Sequence, residues 1–180
     1  DSICEVFFHF HRMLGSKFLY IAIFSQQKKA IIVPHRIIGN GHYFSKHVFR
    51  VVVDVANNKR NYFNSLESKI SQKNLSEHLT FCGARSDIAN VYKISNVVMN
   101  LSSKPEPFGR TIIEAAACGS HVMGWDRGGV KESINAINPI GLVEYGKVDM
   151  LAKQIERVLA TLPPESIPEQ FTKERLVNAT

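Results

Sequence analysis

From residue 49 onward, short β-branched runs alternate with segments whose apolar residues recur at helical spacing. The run FRVVVDV at 49–55 has the composition of a strand buried in a parallel sheet, and residues 59–74 after it have the pattern of a helix. The alternation then repeats, with strands predicted at 78–83, 96–102, 120–125 and 140–146 and helices at 86–95, 109–119, 130–137 and 147–162. Such alternation predicts an α/β fold, an open and mostly parallel sheet with helices on both faces.

The predicted helix at 147–162 is amphipathic. We expect the side that packs on the sheet to consist of Met150, Leu151, Ile155, Val158 and Leu159. A proline-rich connection at 163–168 follows, and residues 171–180 have the pattern of a final helix.

Charge is distributed unevenly along the chain. The formal net charge is +6, yet the segment between Glu5 and Asp54 has seven basic side chains and no acidic one. Residues 54–180 hold 15 basic and 14 acidic side chains, so the excess belongs to the first 53 residues and predicts a boundary near residue 48. The predicted parts are a basic, aromatic-rich leader that supplies the first strand or helix (1–48), a main domain (49–162), and a connection with the start of a C-terminal helix (163–180).

The start of the chain and its cysteines are informative about the cellular compartment of the protein. The chain begins with Asp1, and residues 1–30 lack the small-residue cleavage site of a signal peptide, so we expect a fragment whose missing part lies upstream. No apolar stretch approaches the roughly 20 residues of a membrane span. Three widely spaced cysteines, Cys4, Cys82 and Cys118, favour buried free thiols in a reducing cytoplasm.

The segment EPFGRTIIEAAACG lies where a predicted strand gives way to a helix. In open parallel sheets, ligands bind beyond the carboxyl ends of the strands, where helix N-termini present free N–H groups. The amides of Gly109, Arg110 and Thr111 would be such donors and would suit a phosphate or diphosphate. Glu106 and Glu114 can accept hydrogen bonds from vicinal hydroxyls, although glutamates near a helix start are also ordinary surface residues.

This segment resembles the signature of family 4 glycosyltransferases, in which two glutamates flank seven residues that contain FG. The stretch GWDRGGVKE is similar to the glycine pair and trailing glutamate that follow in that family. The resemblance extends from about Phe49 to Thr180, and this part looks like the donor half of bacterial cell-surface polysaccharide or lipopolysaccharide transferases. It implies the Rossmann-like, nucleotide-sugar-binding half of a GT-B enzyme that retains anomeric configuration, with an N-terminal acceptor domain absent from this chain.

By matching positions, the resemblance assigns roles around the helix start. Glu106 would bind the transferred sugar and stabilise the positive charge that develops near its anomeric carbon. The amides of Phe108 and Gly109 would hold sugar hydroxyls, and those of Arg110 and Thr111 would contact the diphosphate.

The resemblance also implies contacts at the two ends of the donor. Glu114 would bind the ribose, and Gly83 with Arg85 would border the base. Gly128 and Gly129 would let the backbone approach the sugar, or would form a plain turn.

Family members stabilise the departing diphosphate with an arginine and a lysine, separated by four residues, rather than with an essential metal ion. The stretch HRMLGSKF offers Arg12 and Lys17 at that spacing, but Phe18 stands where glycine is usual. The alternatives are a solvated basic patch, or Arg36 with Lys46, which lie further apart.

Three functions remain open on the sequence. The first is a glycosyltransferase donor domain that binds a UDP- or GDP-sugar and serves a glycan or lipid-linked acceptor, in the cytoplasm or at the inner face of the membrane. The second is a dinucleotide-binding module, which the lack of GxGxxG after any strand disfavours, and the third is a noncatalytic remnant. We expect no metal, no cofactor and no nucleic acid, and we read His9 and His11 as ordinary histidines.

Overall fold

The computed structural model describes residues 21–24, 49–51, 60–74, 76, 79–81, 86–102 and 104–172. The strands are β1 (Ile21–Phe24), β2 (Phe49–Val51), β3 (Leu79–Phe81), β4 (Val97–Asn100), β5 (His121–Trp125) and β6 (Leu142–Val143). The helices are α1 (Arg60–Gln72), α2 (Ile88–Ile94), α3 (Arg110–Ala117), α4 (Gly128–Ile137) and α5 (Val148–Leu159), with 3-10 turns at Pro139–Gly141 and Glu169–Phe171. Strands and helices therefore alternate as the sequence predicts.

All described strand pairs are parallel. One ladder has the order β1-β4-β5-β6, and β2 pairs with β3 in a second ladder. Because β1 contacts β2, the strands follow the order 3-2-1-4-5-6, which is that of a doubly wound α/β sheet. The order reverses between β1 and β4, and in such sheets the crevice beyond the carboxyl ends of the strands at this reversal is the usual place for a ligand.

Strand β1 lies within the basic leader. It pairs with β4 in a register that sets Ile21 opposite Val97 and Phe24 opposite Asn100. The leader thus contributes a strand to the middle of the sheet, and the boundary near residue 48 stays a prediction.

Strands β4 and β5 lie at the centre of the core. Every residue of both strands is buried, as expected for apolar strands covered by helices on two faces. Helix α5 buries Leu151, Ile155 and Val158, the predicted face. The prediction for Met150 is wrong, because this side chain is 53% exposed: it is turned about 100° from Leu151 around the helix, toward solvent. In the part of the chain that the structure describes, no helix combines the length and apolar character needed to cross a bilayer.

Two predicted boundaries are wrong. Helix α4 begins at Gly128 rather than at residue 130, so the glycine pair forms its first turn. Strand β6 is shorter than 140–146 because the residues before it form a 3-10 turn with a proline in its first position. Gly141 of that turn packs against the carbonyl of Val122, where a side chain would not fit.

Candidate functional site

The loop at 101–109 joins β4 to α3 at the carboxyl edge of the sheet, beside the reversal in strand order. Gly109 immediately precedes the helix and has a φ of 59°, in the left-handed region that favours glycine. Among the described residues, no backbone carbonyl accepts a hydrogen bond from the amides of Gly109, Arg110 or Thr111. Three consecutive N–H groups are therefore available at the start of α3, an arrangement suited to an anion.

The loop at 101–109 is fastened to the beginning of α4. A Cβ at Gly109 would lie 2.7 Å from the carbonyl oxygen of Gly129 and 2.9 Å from Ser133 Oγ. The Gly129 amide donates to the carbonyl oxygen of Glu106 at 2.6 Å, and Ser133 Oγ donates to the carbonyl oxygen of Phe108 at 3.2 Å. The start of α4 thus fixes the position of the loop at 101–109.

This packing explains the glycine pair at the start of α4. A Cβ at Gly129 would overlap the carbonyl group of Pro107, and one at Gly128 would lie 2.7 Å from the carbonyl oxygen of Glu106. Gly128 also has a φ of 57°. Contact between the two loops therefore requires both glycines, and a contact of either with a sugar stays a prediction.

Glu106 is half-buried, and its carboxylate is held by a strand residue that the sequence analysis did not identify. Asn100, the last residue of β4, is 1% exposed. Its Nδ2 donates to Glu106 Oε2 at 2.6 Å and to Thr111 Oγ1 at 3.0 Å, and its Oδ1 accepts from the Ser102 amide at 3.2 Å. A polar residue that ends an otherwise apolar strand at the ligand edge was the signal that could have identified Asn100.

Glu114 lies in the second turn of α3, and hydrogen bonds from two side chains hold its carboxylate. Arg110 Nη2 lies 3.3 Å from Glu114 Oε1; the Arg110 side chain is exposed and that of Glu114 is half-buried. Tyr92 of α2 is 2% exposed, and its hydroxyl donates to Glu114 Oε2 at 3.3 Å. Sequence reasoning missed Tyr92 because nothing in the spacing of α2 shows that its hydroxyl meets a helix further along the chain.

Both carboxylates act electrostatically on the Tyr92 phenol. Burial raises the pKa of Tyr92 most, followed by the negative charge of Glu114 and its hydrogen bond, with a further contribution from the charge of Glu106. The phenol therefore stays protonated and donates.

The remaining predicted site residues fall into two groups. Phe108 and Arg110 are exposed beside the helix start. The Phe108 side chain is 73% exposed and is not covered by the fold, whereas only its amide was predicted to bind. The others lie outside the described residues, namely Arg12, Lys17, Gly83 and Arg85.

A second group at the carboxyl edge was not predicted. The Arg127 guanidinium lies 4.1 Å from the centroid of the Tyr145 ring, and Trp125 meets the same ring edge-on at a centroid distance of 6.0 Å. Trp125 ends β5, Arg127 precedes the glycine pair, and Tyr145 follows β6. These contacts join the segment before the glycine pair to the segment after β6.

His121 lies at the opposite, amino edge of the sheet. It is buried at the start of β5, as a packed histidine, and burial lowers its pKa. Its Nδ1 has no hydrogen-bond partner in the described part of the chain. Among the same residues, no group of three or more histidine, cysteine or acidic side chains could hold a metal ion, and the expectation of metal-independent chemistry stays a prediction.

The chain matches a family model described as "Glycosyl transferases group 1" over residues 27–174. It is 28% identical over 118 residues to N-acetyl-alpha-D-glucosaminyl L-malate synthase from Bacillus anthracis, a match that covers 61% of this chain and 31% of that enzyme.

Solved structures are also similar to this chain. The structure of Anabaena HepE in complex with UDP gives a TM-score of 0.58 at 30% identity and covers 63% of this chain and 31% of that one. HepE in complex with UDP-glucose gives a TM-score of 0.52 at 31% identity and covers 56% and 28%. The chain thus spans about a third of the length of these relatives, between 28% and 31%.

Proposed function

Because the chain belongs to the group 1 glycosyl transferases, we propose that it is the donor-binding half of a retaining GT-B glycosyltransferase. The reaction moves a sugar from a nucleoside diphosphate to a glycan or lipid-linked acceptor in cell-surface polysaccharide or lipopolysaccharide synthesis. One observation carries the proposal: the α3 start presents three amides without carbonyl partners between two half-buried carboxylates, at the reversal of strand order.

The donor lies across the start of α3 in this proposal. The diphosphate accepts hydrogen bonds from the amides of Arg110 and Thr111, where the helix dipole favours negative charge. The sugar lies on the Glu106 side with the amides of Phe108 and Gly109. That one neighbour was solved with UDP and with UDP-glucose supports a uridine nucleotide as the first ligand to test.

The nucleoside lies on the other side of the diphosphate. Glu114 accepts hydrogen bonds from the ribose hydroxyls. Gly83 and Arg85, which follow β3 in the sequence, border the base. In this proposal Gly128 and Gly129 let the backbone approach the sugar, and their close packing against Glu106 and Pro107 supports that role.

The protein contributes to the reaction chiefly by stabilising charge. As the bond between the anomeric carbon and the phosphate oxygen breaks, negative charge grows on the diphosphate and positive charge on the sugar ring. Preorganised amide donors stabilise the former, together with Arg12 and Lys17 in this proposal, and Glu106 stabilises the latter. Acceptor binding requires an N-terminal domain, so this chain alone should bind a donor better than it catalyses transfer.

The cellular location of the reaction is part of the proposal. We propose that the reaction occurs in the cytoplasm, with peripheral contact at the inner face of the membrane. The basic excess of the first 53 residues supports attraction to anionic lipids.

Thermal unfolding with nucleotides tests the function. We expect UDP or GDP at about 100 times its dissociation constant to stabilise the chain by about 2.7 kcal/mol. Glu114→Ala should remove this stabilisation, whereas Glu156→Ala, on the exposed side of α5, should retain it. Stabilisation by NAD alone would support a dinucleotide-binding module instead, and stabilisation by no nucleotide would refute donor binding.

A further inference from the structure

Each of the two carboxylates has its own buried, uncharged anchor on a neighbouring element. We infer that Asn100 is a positioning residue for Glu106 and Tyr92 a positioning residue for Glu114, so that sugar binding and nucleoside binding depend on separate buried side chains. This inference rests on the proposed function and adds residues outside the signature segment to it.

The hydrogen bonds of Asn100 fix the orientation of its amide. The Ser102 amide can only donate, so it meets Oδ1, and a carboxylate can only accept, so Glu106 meets Nδ2. The second hydrogen of Nδ2 reaches Thr111 Oγ1. Both polar atoms of the buried Asn100 side chain are therefore hydrogen-bonded. A change of rotamer or a flip of the amide would break at least one of these hydrogen bonds.

Asn100 also joins a rigid element to a loop. Its backbone lies in the ladder between Phe24 of β1 and Gly124 of β5, whereas Glu106 lies in the connection before α3. The bond engages Oε2 of Glu106, and Oε1 makes no hydrogen bond to any residue that the structure describes. A carboxylate held at one oxygen by a strand amide keeps the other oxygen for a ligand and loses less freedom when the ligand binds.

Tyr92 has the same relation to Glu114, with a weaker contact. It is buried on α2, and its hydroxyl reaches Oε2 at 3.3 Å, longer than the usual distance between hydroxyl and carboxylate oxygens. The other oxygen of Glu114 meets the exposed Arg110 side chain, which can swing aside for a ribose hydroxyl. We therefore expect a smaller effect from removal of the Tyr92 hydroxyl than from loss of the Asn100 donor.

The test compares two probes, UDP and UDP-glucose, by calorimetric titration of the purified chain. Asn100→Asp keeps the acceptor for the Ser102 amide and replaces the Nδ2 donor with an oxygen. It should weaken UDP-glucose binding by about tenfold and leave UDP within about twofold of wild type. Tyr92→Phe should weaken both ligands equally, by about threefold.

Controls separate positioning from general destabilisation. Ser120→Ala removes a buried hydroxyl at the amino edge of the sheet, so it should lower the unfolding temperature without changing the ratio of the two affinities. In a double variant, Glu106→Ala with Asn100→Asp should bind UDP-glucose no more weakly than Glu106→Ala alone, because Asn100 acts through Glu106. Asn100→Ser replaces Asn100→Asp if circular dichroism shows that the latter is unfolded.

The outcomes distinguish the two proposals. If the wild-type chain binds neither ligand and GDP does not stabilise it either, the proposed function fails and this inference falls with it. If wild type binds both ligands but Asn100→Asp and Asn100→Ser weaken them equally or not at all, the inference about Asn100 is wrong while the proposed function stands. An additive loss in the double variant would also overturn it.

Discussion

The two edges of the parallel sheet use buried polar side chains in different ways. At the amino edge, Ser95 Oγ donates to the carbonyl of Val91 at 2.7 Å, and Ser120 Oγ donates to the carbonyl of Tyr92. These acceptors belong to the last turns of α2, where carbonyl groups lack partners within the helix. The serines therefore satisfy the carbonyl groups of two buried residues, Val91 and Tyr92.

At the carboxyl edge, the buried donors face charges. Asn100 and Tyr92 each hold one oxygen of a half-buried glutamate, and backbone contacts between two loops hold the intervening turn. A buried polar residue therefore indicates a binding site when its hydrogen-bond partner is a partly exposed side chain that a ligand can reach. Asn100 meets this condition, whereas Ser95 and Ser120 do not.

The largest expected difference between the edges comes from their glycines. Gly129→Ala should lower the free energy of unfolding by about 3 kcal/mol, because its Cβ would overlap the backbone of Pro107 and Phe108, which cannot move independently of the α3 start. Gly119→Ala, at the amino edge, should cost about 1 kcal/mol, since a φ of 82° strains alanine but no atom lies within 4 Å of its Cβ. Urea unfolding of both variants measures the difference, and equal losses would show that the loops do not depend on close backbone packing.

At the amino edge, low pH should destabilise the folded chain through protonation of His121. Burial holds the pKa of His121 below its ordinary value near 6.5, so the unfolded chain binds the proton more readily than the folded one. The stability that this residue contributes is complete above about pH 6.5 and is lost as pH falls from there through the folded pKa, with a slope of at most about 1.4 kcal/mol per pH unit.

His121→Gln removes this titration. Thermal melts between about pH 8 and 5 should therefore show a shallower loss of stability below about pH 6.5 in the variant than in wild type. Parallel curves for the two proteins would mean that the buried ring does not set the acid sensitivity.

Most of the fold was predictable because it depends on short-range patterns. The buried run of β4 and the helical spacing of α5 predicted a parallel sheet between helices, and the structure and its GT-B neighbours confirm this fold class. The wrong boundaries arose where long-range packing decides. From the sequence alone, Gly128 has the character of a turn residue, and only its contact with the loop at 101–109 explains why it begins helix α4. The 3-10 turn that shortens β6 depends in the same way on the contact between Gly141 and Val122.

The candidate site was predictable only in part. Glu106 and Glu114 could be identified from their spacing around FG and from a family resemblance. Asn100 had one sequence signal, a polar residue at the end of an apolar strand, and Tyr92 had none. The hydrogen bonds that both residues make across elements could not be predicted, because they depend on the way the elements pack. The roles of the predicted residues stay predictions, including those of Arg12 and Lys17, which lie outside the described residues.

The smallest expected effect concerns Arg110. Its side chain is 78% exposed and pairs with Glu114 at 3.3 Å across one helical turn, a contact worth about 0.5 kcal/mol or less in water. In the proposed function the amide of Arg110, which Arg110→Ala preserves, contacts the diphosphate. The variant should therefore change UDP affinity by less than about threefold and leave the unfolding temperature almost unchanged. If calorimetry instead shows a loss as large as that of Glu114→Ala, the guanidinium rather than the backbone holds the nucleotide, and the carboxyl edge depends on side-chain charge more than on its amides.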